Sequence, residues 1–173
     1  MAFDAAVIAA HAAAIRRGSW FALAGLPFSD DERAAAARLA PRVERVTNWK
    51  DARALANDPR ANAARDADAR DVVMLKDCAL ASTGPDVLLE AMSAVVDNGL
   101  EIFMAHAVAA LARARIADEE LARVAAGAAA DAVYRGALAS AVGLPEHRFV
   151  LSEALFASGR WPLARIGETA YVL

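Results

Sequence analysis

The apolar positions of this chain recur at three- and four-residue intervals over most of its length, and helix start and stop signals divide the pattern into segments. A first helix is predicted over residues 3–17, with Val7, Ile8, Ala14 and Ile15 as its apolar stripe and Gly18 as its stop. Residues 19–28 interrupt it. Ser29 with Glu32 three positions on forms a capping box, in which hydroxyl and carboxylate satisfy each other's backbone donors, and a second helix follows to about residue 39. Pro41 suits the first turn of a short helical continuation carrying Val43 and Val46. Thr47 or Asn48 then caps a piece with Trp49 and Leu55, and Asp58 with Pro59 starts another.

Residues 58–71 alternate in charge and hold no large apolar side chain, which reads as an exposed helix. Gly84, Pro85 and Asp86 open a helix that Asn98 and Gly99 are expected to end as a left-handed cap. Leu100, Phe103, Met104, Ala107, Val108 and Leu111 then recur at helical spacing. With Ile102, Ala105, Ala109 and Ala110 on the other side, they predict the central buried helix. Asp118 opens a helix reaching Val142, and Phe149, Val150, Leu151, Leu155 and Phe156 mark a last amphipathic helix closed by Gly159.

The pattern changes over residues 160–173. Gly167 with Glu168 suits the two-residue loop of a β-hairpin, which places Ile166 opposite Thr169, Ala164 opposite Tyr171 and Leu163 opposite Val172. The predicted architecture is therefore mainly all-α: a single-domain bundle of about seven to nine helices with a C-terminal β-hairpin. At 173 residues the chain is long enough to bury a core without disulfides or a structural metal.

Composition alters this picture little. The 48 alanines favour helix, but a GC-rich coding sequence produces both them and the preference for Arg over Lys without selection on function. The net charge of −3, with acids and bases mixed along nearly every segment, leaves no nucleic-acid footprint. The longest uncharged runs hold about a dozen residues against roughly 20 for a spanning helix, so no membrane segment is expected. Asp4 stands where an export signal wants positive charge. The lone Cys78, among Val72, Val73 and Leu75, reads as a buried reduced thiol, and the location expected is cytoplasmic.

Candidate chemistry is sparse. His11, His106 and His147 lack metal-ligand spacing, and neither a nucleophile elbow nor a phosphate loop occurs, so no catalytic residue, metal or cofactor is assigned. Two features stand out. The apolar connection holding Trp20 and Phe21 needs a cover, and the hairpin carries Arg160, Trp161, Arg165 and Tyr171, residue types enriched at binding hot spots. The expected function is a small, soluble, non-catalytic protein–protein interaction module, of the adaptor, antitoxin-like or immunity-like kind. Its partner would be another protein or a second copy of the chain, contacted through those four hairpin residues. The alternative is a small-molecule-binding protein or enzyme whose pocket the fold assembles between helices from Trp20, Phe21, Phe103, Met104, His106 and Tyr134.

Overall fold

A computed structural model describes residues 3–173. In chain order it contains α1 (Ala5–Ile15), α2 (Asp30–Ala37), β1 (Arg42–Arg45), α3 (Trp49–Ala56), a 3₁₀ turn (Pro59–Ala61), α4 (Asn62–Ser82), α5 (Pro85–Arg113), α6 (Glu119–Ala141), α7 (Arg148–Ala157), β2 (Pro162–Ile166) and β3 (Thr169–Val172). The fold is mainly helical with a C-terminal hairpin, as the sequence predicts. Local signals set many of the ends. Ser29 and Glu32 close their capping box, and the side chains of Asp4, Asn48 and Asp118 each accept a backbone N–H at the start of α1, α3 and α6.

Three expectations are corrected. Residues 42–45 form a strand instead of a helical turn, because β1 pairs in parallel with β3 and Val43 packs with Ala36, Leu155 and Val172. The result is a three-stranded sheet in the order β1-β3-β2. Second, α5 runs through Asn98 and Gly99 to Arg113. A Cβ on Gly99 would stand 2.6 Å from the Phe103 ring and 3.4 Å from Ile15, so this glycine serves close packing and not a cap. Third, the central helix is α6, in which Leu121, Ala125, Ala129, Val133, Ala137 and Leu138 are all buried. Its alanines let α1, α5 and α7 approach closely, since interaxial distance follows side-chain size at the contact.

The hairpin register agrees with the predicted one at Ile166–Thr169 and Ala164–Tyr171, but an irregularity between Pro162 and Ala164 pairs Val172 with Pro162 in place of Leu163. Trp161 and Leu173 exchange both backbone hydrogen bonds beyond the strands, at 3.0 and 2.9 Å. α5 is long and apolar enough to cross a bilayer by length and composition, which the uncharged runs did not predict. Its buried side packs against α1 and α6 of the same chain.

The apolar connection and the hairpin cover each other. Phe21 packs edge-on against Phe156 and Trp161, with Trp49 alongside at 6.1 Å, while Trp20 stands edge-on to Phe103 at 4.6 Å and donates its indole N–H to Ile15 O at 2.7 Å. Phe21 holds φ +58, a strained conformation for an aromatic residue that this packing maintains. Arg160, 1% exposed, donates to Leu23 O, Leu26 O and Pro27 O at 2.6–2.7 Å and forms a two-pronged ion pair with Glu32, both bonds at 2.9 Å. Hydrogen bonding from Arg160, reinforced by Ser29, lowers the Glu32 pKa from 4.5 to about 2 against a burial effect that raises it.

Because that pKa is depressed on folding, the Glu32 carboxylate contributes stability above about pH 4.5 and loses it as pH falls toward 2. The shift corresponds to about 3 kcal/mol. Denaturant unfolding of wild type and Glu32→Gln from pH 7 to pH 2 should show a stability gap of that order near neutrality that closes at the acid end. A gap independent of pH would exclude the ion pair as its cause.

Candidate functional site

The structure brings only part of the predicted pocket together. Trp20, Phe21 and Phe103 are core residues at 0–2% exposure, and Trp20 packs on Phe103. Tyr134 is half-buried on α6 beneath the Lys76 ammonium, and His106 lies half-buried on α5. Met104 borders only a shallow depression on α5 with Leu100 and Val108. The predicted contact patch is divided too. Arg160 and Trp161 are 1% exposed and present no side chain to a partner, because the hairpin docks on its own chain. Tyr171 is half-buried, and Arg165 turns into a cleft between α4, α6, α7 and β2. Cys78 is exposed, contrary to expectation, since α4 buries Leu75 and Ala79 and carries the thiol on another side.

Two polar centres were not foreseen. Asp68 on α4 gathers three guanidinium groups from three other elements: Arg148 of α7 at 2.8 Å, Arg165 of β2 at 3.2 Å and Arg135 of α6 at 3.8 Å. Asp131 also pairs with Arg135 at 2.7 Å, and Asp71 with Arg148 at 2.5 Å. Arg135 and Arg148 both stack on the Phe149 ring, 5.4 and 5.0 Å from its centroid. The sequence held a signal for this centre. Arg65, Asp68, Asp71, Leu75 and Ala79 recur at helical spacing, so the charges sit over the buried stripe of α4 and not opposite it.

The second centre joins α1 to α7. His11 Nδ1 and Glu153 Oε1 lie 2.6 Å apart, with side chains 18% and 10% exposed. The other carboxylate oxygen of Glu153 is buried without a hydrogen-bond partner among the described residues. Burial pushes the Glu153 carboxyl above its ordinary value, although the His11 bond pulls it down. The folded protein therefore keeps this proton at pH values where the unfolded chain has lost it, and the group's contribution to stability falls as pH rises through that window. Glu153 fits because α6 has no side chain at Gly136. Among the described residues no group of three His, Cys, Asp or Glu is placed to hold a metal ion.

The largest unsatisfied feature is apolar. Among the described residues nine large hydrophobic side chains are exposed, and eight stand on two helices: Val73, Met74 and Leu80 on α4, and Val87, Leu89, Val96, Leu100 and Val108 on α5. Leu89 is 68% exposed and Leu100 54%. Among the described residues of its first half, α5 buries the narrow stripe of Leu88, Met92, Val95 and Gly99, leaving side chains on either side in solvent. Scattered exposed apolar residues are ordinary, whereas a concentration of them on two successive helices is not. The chain matches no family model, no curated protein and no solved structure.

The notch at Gly136 predicts a reversal of sign. Gly136→Ala in wild type should destabilise by about 1–2 kcal/mol, because the methyl group collides with the Glu153 carboxylate. In a Glu153→Gly background, which also removes the Glu153 Cβ that would stand 3.0 Å away, the same change should stabilise by about 0.5–1 kcal/mol through helix propensity. Thermal unfolding of the four proteins checks this, and destabilisation in both backgrounds would show that the notch has another cause.

Proposed function

We propose that the protein is a non-catalytic helical interaction module, and that the surface it uses is the exposed face of α4 and α5, occupied by a second copy of the chain. The observation that carries this reading is the placement of eight of the nine exposed large hydrophobic residues on those two helices. α4 and α5 follow one another through the short Thr83–Gly84 connection and pack more on α6 than on each other, which leaves their other sides open to a partner. A two-fold dimer requires a self-complementary patch, since each side supplies the same residues.

Charge bears on the pairing. α5 bears Asp86, Glu90, Asp97 and Glu101 and has no Lys or Arg before Arg113, while α4 exposes Arg70 and Lys76 beside Asp66 and Asp77. Setting α5 against α5 opposes carboxylates throughout, whereas α4 of one copy across α5 of the other offers them Arg70 as a counter-charge. Rim charges of this kind steer association, and the apolar residues hold it.

Sedimentation equilibrium should give twice the 18.1 kDa chain mass for wild type, and Leu89→Glu with Leu100→Glu should return it to the monomer. Both sites are solvent-exposed, so the double variant should keep its fold, at a cost within about 0.5 kcal/mol per site. Salt should weaken the dimer modestly through the α4–α5 charges. A wild type that stays monomeric at every attainable concentration, or a dimer indifferent to both substitutions, would overturn the proposal.

A further inference from the structure

The cleft between α4, α6, α7 and β2 encloses about 330 Å³, at the small end of the range for organic ligands. Its edge carries Arg65, Arg135, Arg148 and Arg165 against Asp68 and Asp131, with Asp71 paired to Arg148 behind them, an excess of one positive charge in a chain whose net charge is −3. The imbalance is local and specific. Asp68 serves three guanidinium groups at once, and Arg165 has it as its hydrogen-bond partner at 3.2 Å. Arg65 donates to neutral oxygens, Ala56 O at 2.6 Å, Asn62 Oδ1 at 2.7 Å and Asp58 O at 3.1 Å.

One carboxylate offers about four lone-pair sites, so three planar five-donor guanidinium groups converging on it keep donor capacity to spare. Asp131 shares Arg135 with Asp68 and Asp71 shares Arg148 with it, which leaves Arg165 and Arg65 the least neutralised, and a forked guanidinium matches a carboxylate or phosphate in two-point geometry. Behind the arginines the wall is apolar, formed by Val124, Phe149 and Leu163 with small alanines between them. Phe149 is 4% exposed and already carries two guanidinium groups on its ring, which fixes their heads at the mouth.

We infer that this cleft binds a small organic anion, whose carboxylate or phosphate head sits among Arg135, Arg148 and Arg165 beside Asp68 and whose flat apolar body lies against Val124 and Leu163. The site is separate from the α4–α5 surface: on α4, Asp68 lies over the buried stripe and Val73 on the exposed side. Binding here therefore stands or falls independently of self-association.

Titration calorimetry at constant ionic strength, with phenyl phosphate, benzoate and inorganic phosphate as probes, tests the site. One of the two aromatic anions should bind saturably at one site per chain, and at least tenfold more tightly than inorganic phosphate. Which of the two binds better identifies the head group. Arg165→Gln removes one guanidinium while Asp68 keeps Arg135 and Arg148, and should weaken binding at least tenfold. Asp68→Asn removes the internal competitor for the arginines and should tighten it several-fold. Should Asp68→Asn fail to fold, Arg165→Gln with its thermal unfolding profile carries the test alone. No saturable binding of either aromatic anion, equal affinity for inorganic phosphate, or affinity unchanged by Arg165→Gln in a folded protein would each overturn the inference.

Discussion

A guanidinium group buried to 1% exposure needs every donor occupied, and Arg160 meets that need by drawing three backbone carbonyls and one carboxylate around it. The arrangement constrains much of the molecule. The carbonyls belong to the turn-rich connection after α1, the carboxylate to the first turn of α2, and the arginine to the segment entering β2. Fixing these to one point brings the Trp20–Phe21 segment beneath the hairpin, so that Trp161 closes over Phe21 and Trp49. Removing Arg160 would leave Glu32 and three carbonyls without their partner, a heavier penalty than loss of any single apolar contact at the surface.

Consequences for function follow from what this clamp consumes. The aromatic and arginine residues that look most like a binding surface in the sequence are the ones that hold the fold together. Once Trp20, Phe21, Phe103, Arg160 and Trp161 lie inside, the exposed large apolar side chains are concentrated on α4 and α5, and one cluster of cationic groups stays partly open around Asp68. The two surfaces differ in kind. One is a set of exposed apolar side chains on two helices, the other a small cleft with a cationic mouth.

Local signals were legible in the sequence to the extent that they act locally. Ser29, Asn48, Asp118 and the Gly167–Glu168 turn each depend on neighbours within four residues, and each occupies the predicted place. β1 was not legible, because its partner strand lies more than 100 residues later and the pairing competes with a helical pattern of similar strength. Gly99 misled for the opposite reason. A glycine after asparagine is a common helix end, and only the tertiary approach of Phe103 and Ile15 shows why the position lacks a side chain. Burial along α5 was misjudged because its apolar residues cover most of the helix, and periodicity cannot say which side a neighbour will take. The Asp68 cluster joins charges 97 positions apart, a convergence that only the fold creates.

If a second copy covers α4 and α5, association protects their amides, since protection arises only where the copies meet or where meeting rigidifies them. Hydrogen exchange measured across a wide range of protein concentration should then show protection of α4 and the first half of α5 rising with concentration, while α6, α7 and the hairpin exchange at the same rates throughout. Concentration-independent exchange in α4 and α5, or a rise in protection confined to the hairpin, would contradict that coverage.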